Sequence, residues 1–393
     1  MEIAPDHPRR LLQGFLPLDL CKELEFIHRS CGTVGYRPGV ISTTLSHLIA
    51  TNCSHLIIPF IHVRERLKEN VEEFFNCEYE LVIEFTGLVS WCKGASIGWH
   101  TDDNMPYLKQ RHYTAVCYLN NHGIDFEGGI LHFKDGKQPE SIIPTTGDVV
   151  IYTADDRNIH SVDEITSGER LTLTLWFSHD SSYDEDPKLI ARLDDILTEH
   201  QNQVCHIPSP ASSNMYQCPH LGSGLDIRSM RLNALGYNLC SFDHKVCHSF
   251  SDSLVDPMEK PIQICRGNQI YNEKFANSMH ALQVVQFYYW KASQVKISRK
   301  KINVDDLIDS SLMFSTKNID KKLLVQYYVK FKESDFDRKF MDDEHESFDW
   351  GEFSIAGRDW NDHVQKLHVI LMGSLSSWKT HQTLFSLEDV KTS

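Results

Sequence analysis

The sequence predicts an α+β fold, in which an antiparallel β-sandwich or jelly roll is flanked by N-terminal helices and followed by an α-rich region. Three observations lead to this prediction. Apolar residues repeat at helical spacing before about residue 79 and again after about residue 187, and between these points the period is that of β-strands. Gly, Pro, Asn and Asp separate the strands, and no long helical pattern interrupts them.

The N-terminal flank, residues 1–78, is predicted to be helical and to precede the β-rich core. The segment LPLDLCKELEFIHRS (16–30) has leucine and isoleucine side chains on one stripe, which is typical of an amphipathic helix. The segment SHLIIPFIHVRERLKENVEEFF (54–75) has a second helical pattern. We expect a break near Pro59, because proline lacks the amide hydrogen that the interior of a helix needs.

The β-rich core is predicted over residues 79–182, where short runs of β-branched and aromatic residues follow one another. The predicted strands include ELVIEFTGLVSW, YTAVCYLN, GGILHF, GDVVIYT and RLTLTLWF. Many short strands with turn residues between them and no long intervening helix indicate an antiparallel sandwich or a jelly roll.

The remainder of the chain is predicted to be a trailing helix and linker (183–206) and an α-rich C-terminal region (207–393). In that region, NDHVQKLHVILMGSLSSW has helical spacing and begins with Asn361 as the expected N-cap. Cysteine and histidine from position 205 onward lack the paired short spacing of a zinc knuckle, so we expect free thiols rather than structural zinc. These residues are Cys205, Cys218, His220, Cys240, Cys247 and His248.

The composition excludes some classes of function. The formal net charge of −15 argues against sequence-independent binding to nucleic acid and to anionic membranes. The longest apolar run, LIIPFIHV, is too short to span a bilayer, and the first residues lack the apolar stretch of a signal peptide. An odd number of cysteines, 11, is typical of reduced thiols. We therefore expect a cytoplasmic or nuclear protein that binds neither nucleic acid nor a membrane.

The segment GWHTDDN (98–104) places a histidine and an aspartate two positions apart. In an extended segment, residues i and i+2 point to the same side, so His100 and Asp102 can face one metal ion while Asp103 points elsewhere. A mononuclear non-haem iron centre commonly uses two histidines and one carboxylate and leaves the opposite face open. His160, which follows a turn, a β-rich run and a polar loop, is the best candidate for the third ligand.

Three other histidines compete with His160 for this role. His112 and His132 lie inside other runs, and His122 lies in a turn beside Gly123, so each is less suited to a ligand position at the start of a strand. Any one of these histidines, taken alone, is readily explained as a solvated or core histidine. The order of the His-x-Asp motif and His160 within one β-rich block favours the metal site.

Arg170, shortly after His160, begins the strand RLTLTLWF. Strand alternation puts Thr172, Thr174 and Trp176 on the same face as this arginine and the apolar residues on the other face. A cation followed by hydroxyl groups is unusual on a buried face unless that face lines a polar cavity. A dicarboxylate ligand supplies the missing anion, because arginine binds a carboxylate through two parallel hydrogen bonds.

In this order and spacing, the motifs resemble the prolyl-hydroxylase branch of the Fe(II)/2-oxoglutarate dioxygenases, and within it the prolyl 3-hydroxylase (leprecan) type. The matching segments, over roughly residues 79–197, are WHTDDN, RHYTAVCYLNN, FEGGILHF, PTTGDVVIYT, IHSVDEITSGERLTLTLWF and DEDPKLIARLDDIL. The opening LLQGFLPLDLCKEL is similar to the helix that precedes such domains. The resemblance implies a double-stranded β-helix that uses Fe(II), 2-oxoglutarate and O2, with L-ascorbate keeping the iron reduced.

The same resemblance implies roles for individual residues. It implies that His100, Asp102 and His160 bind the iron. It implies that Arg170 binds the distal carboxylate of 2-oxoglutarate and that Tyr118 hydrogen-bonds the same carboxylate. In this chemistry, decarboxylation of the keto acid to succinate and CO2 accompanies insertion of oxygen into a C–H bond of the substrate.

The expected substrate pocket departs from the family pattern at Trp91. Related hydroxylases commonly have a tyrosine in a Tyr-x-x-Gly element before the His-x-Asp motif, and here the element reads WCKG. Indole donates one hydrogen bond and accepts none, so the shape of the pocket is expected to differ. Trp176 and Arg111 are the other expected substrate contacts, with a peptide segment across the barrel mouth. A role in the folded core is the alternative for Trp176.

The leading functional prediction is hydroxylation of a prolyl or similar side chain in a protein substrate. Oxidation of a small molecule is the first alternative. Nucleic-acid demethylation is less favoured, because proteins of the AlkB group typically carry another arginine at the position that Trp176 occupies here. A catalytically inactive binding module is also less favoured, since every expected ligand residue is present.

Overall fold

The computed structural model describes residues 7–31, 33–34, 39–50, 53–134, 140–199, 284, 287–288, 290–291 and 350–387. Within these ranges, one face of a large antiparallel sheet is covered by helices and the other face by a smaller antiparallel sheet. The predicted linker and the cysteine and histidine residues from position 205 to 248 lie outside the described residues. None of the helices in the described ranges has the length and apolar character needed to cross a membrane.

The helices begin and end close to their predicted limits, with two differences. They are α1 (Leu18–Cys31), α2 (Leu45–Ala50), α3 (Ile58–Phe75), α4 (Asp186–Glu199) and α5 (Trp350–His381). Pro59 does not break α3 but lies in its first turn, after a short 3-10 turn, because the missing amide hydrogen has no helical partner there. The N-cap predicted at Asn361 is wrong, since α5 begins at Trp350 and Asn361 lies inside it.

The C-terminal helix α5 packs on the N-terminal helical layer. The ring of Trp360 meets that of Phe26 in α1 at a centroid distance of 5.4 Å, and Lys379 donates to Asp194 of α4 at 2.7 Å. The apolar stripe predicted for this helix is buried in the same core. Its members are Leu367, Leu371, Leu375 and Trp378. Residues distant in the sequence therefore share one hydrophobic core with the β-rich part of the chain.

The strands are more numerous than the sequence pattern indicates. They are β1 (Arg9–Leu12), β2 (Thr33–Val34), β3 (Val40–Thr44), β4 (Val82–Cys92), β5 (Ile97–His100), β6 (Tyr113–Tyr118), β7 (Phe126–Gly128), β8 (Leu131–Phe133), β9 (Glu140–Ile142), β10 (Val149–Thr153), β11 (His160–Val162) and β12 (Ile165–Ser178). Strands β4, β6, β8, β10 and β12 correspond to the five predicted runs. The sequence pattern does not predict the others.

The larger sheet has the order β1-β10-β6-β12-β4-β3-β2, and β7 pairs with the start of β12. The smaller sheet has the order β5-β11-β8-β9. The named strand pairs are all antiparallel, so the predicted antiparallel, sheet-rich core with helices is confirmed. The N-terminal flank also contributes strands, because β1 and β3 complete the larger sheet on either side.

Strand β12 shows how this arrangement creates a polar interior. Leu171, Leu173 and Leu175 are buried in the core between the larger sheet and the helices. The alternate residues Arg170 and Thr172 are also buried, but they point to the space between the two sheets. This alternation agrees with the sequence pattern, and it places a cation and hydroxyl groups between the sheets.

Candidate functional site

His100, Asp102 and His160 come together where the smaller sheet ends. His100 is the last residue of β5 and His160 the first of β11, and the register of these strands makes the two histidines direct partners. Their ring centroids are 4.2 Å apart. The backbone N–H of Asp102 donates to the carbonyl of Ala154 at 3.0 Å, which fixes the turn that follows β5. One ligand atom from each of the three residues lies within 4.8 Å of the others.

Both histidines have their Nδ1 atoms bonded to backbone carbonyls. Nδ1 of His100 lies 2.8 Å from the carbonyl oxygen of Gly98, and Nδ1 of His160 lies 2.9 Å from that of Asn158. A carbonyl oxygen only accepts, so each Nδ1 carries a hydrogen, and in the neutral ring each Nε2 then offers a lone pair. Metal-binding histidines are commonly oriented in this way, with the second ring nitrogen donating to a carbonyl or carboxylate.

The two oxygens of the Asp102 carboxylate make different contacts. Its Oδ2 accepts from the Thr114 hydroxyl at 2.6 Å and from the Tyr152 hydroxyl at 3.0 Å. Its Oδ1 lies 3.9 Å from His100 Nε2 and 3.7 Å from His160 Nε2. Both distances exceed hydrogen-bonding range. Two imidazole rings and one carboxylate therefore bring their ligand atoms close together, which is the donor set expected around a divalent cation.

The pKa shifts of Asp102 and Tyr152 favour an ionised carboxylate that accepts a hydrogen bond from the tyrosine. Burial raises the pKa of the Asp102 carboxyl, but His160, the Thr114 hydroxyl, His100 and the Tyr152 hydroxyl outweigh burial and lower this pKa below its ordinary value. Burial, and then the neighbouring carboxylate, raise the pKa of Tyr152 well above its ordinary value. The carboxyl is therefore ionised at neutral pH, and the tyrosine keeps the hydrogen that it donates.

The remaining candidates from the motif region have other contacts. Asp103 accepts from the Thr101 hydroxyl at 2.8 Å and from Lys109 at 2.7 Å. His132 bonds Ser141 and Asp163, each at 2.8 Å. The competing residues His112 and His122 contact His179 and Glu127 respectively. Neither Asp103 nor any of these three histidines belongs to the group that holds His160.

Arg170 and Tyr118 lie together between the sheets, and both are buried, with 4% and 0% exposure. The guanidinium Cζ of Arg170 is 5.3 Å from the centroid of the Tyr118 ring. Arg170 Nε and the Tyr118 hydroxyl have no hydrogen-bond partner among the described residues. Burial raises the pKa of Tyr118, and the nearby Arg170 offsets only part of this change, so the hydroxyl keeps its hydrogen. Unsatisfied buried donors around a cation indicate a binding place for an anion.

The residues predicted to contact the substrate, Trp91, Trp176 and Arg111, lie in two different places. Trp91 is the cross-strand partner of Arg170, with the arginine Cζ 5.9 Å from its ring centroid. Trp176 lies near the other end of β12, and Arg111 lies over its ring with Cζ 3.4 Å from the centroid. Trp91 therefore belongs with Arg170 and Tyr118 rather than with the other two residues.

Sequence reasoning missed the groups that support the three candidate ligands. The donors Thr114 and Tyr152 belong to different strands and become neighbours because β6 and β10 pair at these two residues. The carbonyls of Gly98 and Asn158, two residues before each histidine, have no side-chain signal at all. In GDVVIYT, Val150 and Tyr152 point to the same side of the strand, and this alternation could have indicated Tyr152.

Comparison with known proteins gives the same interpretation of this region. Residues 87–178 match the family described as the 2OG-Fe(II) oxygenase superfamily. This range contains all of the candidate metal ligands, together with Arg170 and Tyr118. The chain carries a 2OG-Fe(II) oxygenase domain.

The oxygenase domain has relatives among prolyl hydroxylases. Prolyl 3-hydroxylase 1 of Gallus gallus is 26% identical over 234 residues, which are 48% of this chain and 31% of that protein. Prolyl 3-hydroxylase 2 of Gallus gallus is 30% identical over 152 residues, which are 32% of this chain and 21% of that protein. The chain thus spans less than a third of the length of these relatives. The crystal structure of a Pseudomonas putida prolyl-4-hydroxylase is 20% identical, with a TM-score of 0.38, and the match covers 44% of this chain and 94% of that one.

Proposed function

We propose that the chain is an Fe(II)- and 2-oxoglutarate-dependent dioxygenase that hydroxylates a prolyl or similar side chain of a protein substrate. The observation that carries the proposal is that ligand atoms of His100, Asp102 and His160 lie within 4.8 Å of one another. The oxygenase domain and the similarity to prolyl 3-hydroxylases support the reaction and the class of substrate. The two facing antiparallel sheets support a double-stranded β-helix (jelly roll) as the fold of this domain.

In this proposal His100, Asp102 and His160 would hold Fe(II). The metal supplies the redox chemistry by which O2 and 2-oxoglutarate become succinate, CO2 and a hydroxylated substrate. Thr114 and Tyr152 hold the second oxygen of the carboxylate, so that its first oxygen stays directed at the metal. L-ascorbate is the proposed reductant that keeps the iron ferrous.

The buried pair Arg170 and Tyr118 is the proposed place for the distal carboxylate of 2-oxoglutarate. Arg170 binds this carboxylate through two parallel hydrogen bonds, and Tyr118 donates a third from the hydroxyl that its raised pKa keeps protonated. Trp91 forms the wall beside the arginine. A carboxylate bound here would satisfy the two buried donors.

The proposed catalytic unit is the flank 1–78, the core 79–182 and the trailing helix, since β1 and β3 complete the larger sheet. The proposed partner is a protein or peptide, lying beside Trp176 and Arg111. The cytoplasm or the nucleus is the proposed compartment.

The proposal predicts enzyme-dependent oxidation of proteins in a cytosolic lysate. Purified protein is incubated with the lysate, Fe(II), 2-oxoglutarate and ascorbate, and gains of one oxygen are mapped by mass spectrometry. We expect modified prolines, or another single residue type, with matching release of succinate. Asp102→Ala should lower both signals by more than about 100-fold, because loss of a group that merely orients a metal ligand already costs about 10- to 100-fold.

The matched control is Asp103→Ala, which removes the adjacent carboxylate that contacts Thr101 and Lys109. This variant should keep nearly the activity of the unchanged protein. Oxidation of a metabolite with no modified peptide would replace the protein-hydroxylase proposal by a small-molecule oxygenase. Equal loss in the two aspartate variants would remove the special role of Asp102.

A glycine beside the arginine gives a further prediction. Gly129 has φ +65°, and a Cβ atom there would lie 2.9 Å from Arg170 Cδ and 2.4 Å from Ile165 Cδ1. Gly129→Ala should therefore displace the arginine and raise the 2-oxoglutarate concentration at half-maximal rate by about tenfold, since overpacking costs about 1 to 3 kcal/mol. Gly123→Ala is the control, because Gly123 also has positive φ but no atom within 4 Å of the added carbon. Equal effects of both variants would assign the change to backbone strain.

A further inference from the structure

A second polar cluster lies beside the candidate metal ligands, near the end of β12 that is distant from Arg170. Trp176 pairs across the strands with Thr114, and the Thr114 hydroxyl donates to Asp102. The Arg111 guanidinium lies over the Trp176 indole, with Cζ 3.4 Å from the ring centroid. A molecule bound to this cluster is therefore adjacent to the proposed iron site.

Glu84 joins the cluster because strand β4 is irregular at this point. Phe85 is opposite Trp176, but the next pair joins Ile83 to Phe177, so Glu84 is an extra residue in β4. Such a bulge re-aims a side chain that strand alternation would send to the opposite face. The aromatic ring of Phe85 packs against that of Trp176, with centroids 4.6 Å apart, and closes the cluster on this side.

The two oxygens of the Glu84 carboxylate are used differently. Oε1 accepts from Gln110 Nε2 at 2.9 Å and from Arg111 Nε at 3.2 Å. Oε2 is buried and has no hydrogen-bond partner within the described part of the chain, and the same holds for Trp176 Nε1. Buried polar atoms are almost always satisfied in folded proteins. The cluster therefore presents one unsatisfied acceptor and one unsatisfied donor beside the reaction centre.

We propose that this pair binds the backbone of the substrate peptide, with a peptide carbonyl accepting from Trp176 Nε1 and a peptide N–H donating to Glu84 Oε2. The inference rests on the proposed function, because it assigns how the substrate of that iron site is bound. A free carboxylate has no hydrogen to give to Glu84, and an ammonium group has no acceptor for the indole N–H. A peptide backbone carries both groups at every residue other than proline.

Arg111 makes this pair suited to a neutral ligand. Its positive charge compensates the Glu84 carboxylate, and its contact with the indole holds the two partners in place. Because these charges balance, the cluster selects its ligand by hydrogen bonding: the ligand must accept from Trp176 and donate to Glu84. Arg111 is thus a positioning residue, whereas Glu84 and Trp176 contact the substrate. A polyhydroxylated small molecule is the competing class of ligand.

The test uses capped pentapeptides with a central proline, in one set with free backbone N–H groups and in a second set N-methylated at every backbone nitrogen. Oxidation is measured by mass spectrometry with Fe(II), 2-oxoglutarate and ascorbate. We expect the unchanged protein to prefer the first set by about tenfold, as for one hydrogen bond to a charged group. Glu84→Gln should lose this preference, because the amide oxygen stays with the donors Gln110 and Arg111, and the amide NH2, which only donates, then faces the peptide N–H. Trp176→Phe should lower the rates for both sets.

The matched control is Glu80→Gln, at an exposed glutamate shortly before β4, which should keep the preference of the unchanged protein. The added methyl groups crowd every variant alike, so loss of the preference in Glu84→Gln alone reports the hydrogen bond. A preference that survives in Glu84→Gln, or is absent in the unchanged protein, overturns the inference. Oxidation of lysate proteins but of neither peptide set also overturns it. Oxidation of a metabolite alone by the unchanged protein refutes the proposed function itself.

Discussion

His160→Ala is expected to reduce 2-oxoglutarate turnover to the level of a reaction without enzyme. The substitution removes one of the three ligand groups around the proposed iron position, and it leaves Asp102 Oδ1 opposite a single histidine. Loss of a direct ligand should exceed the roughly 10- to 100-fold loss that follows removal of a group that only orients one. Succinate release and the iron content of the purified variant are the two measurements, and we expect both to fall.

The neighbouring strand offers a matched control. His132 in β8 is opposite Ser161, next to His160, but its ring bonds Ser141 and Asp163 instead of facing the other ligands. His132→Ala should keep iron and turnover close to those of the unchanged protein. Thermal unfolding of both variants separates loss of the site from loss of the fold. A folded His160→Ala protein with normal turnover would show that another residue is the third ligand.

The strands that carry Trp91, Tyr118 and Arg170 are those that the sequence predicts best, whereas the short strands of His100 and His160 are not predicted as strands. Long runs such as RLTLTLWF alternate so regularly that the buried polar face of β12 is evident from the sequence alone. The His-x-Asp spacing likewise predicts a shared direction for His100 and Asp102, and the structure brings their ligand atoms together with one from His160. Local patterns suffice for these residues because each depends on the geometry of its own strand.

Features that depend on strand register could not be predicted. Thr114 and Tyr152 meet at one carboxylate only because β6 and β10 pair at this position, and no spacing within either strand encodes that pairing. The position of Glu84 is harder still to predict. Strand alternation alone places its side chain on the face opposite that of Phe85, and only the bulge opposite Trp176 turns it to the same face. The residues that hold and select ligands are therefore less visible in the sequence than the candidate metal ligands.

Long-range packing explains the remaining differences. The expected cap at Asn361 follows from local preference, but α5 continues to Trp350, and Trp360 packs on Phe26 of α1. Burial of this apolar side chain outweighs the modest gain of about 1 kcal/mol from a capping residue. Short strands such as β3 have the same origin, because they become strands by pairing with a longer neighbour, here β4.

Arg170→Ala should raise the requirement for 2-oxoglutarate strongly while leaving iron binding almost unchanged. The guanidinium is buried beside Tyr118 and Trp91, and its Nε and the tyrosine hydroxyl have no hydrogen-bond partner among the described residues. Loss of one partner of a buried charge pair costs about 2 to 5 kcal/mol, so the half-saturating concentration should rise by roughly 30-fold or more. Iron content and 2-oxoglutarate titrations of turnover measure the two effects separately.

Two further variants decide whether the geometry of Arg170 matters as well as its charge. Arg170→Lys keeps the charge but loses the planar pair of donors, so it should recover only part of the affinity for 2-oxoglutarate. Arg157→Ala is the control, because this arginine is half-exposed and pairs with Asp155 away from the buried site. Full recovery by lysine would mean that a point charge is sufficient. An unchanged 2-oxoglutarate requirement in Arg170→Ala would instead place the cosubstrate carboxylate elsewhere, and the unsatisfied donors at Arg170 and Tyr118 would then need a different anion.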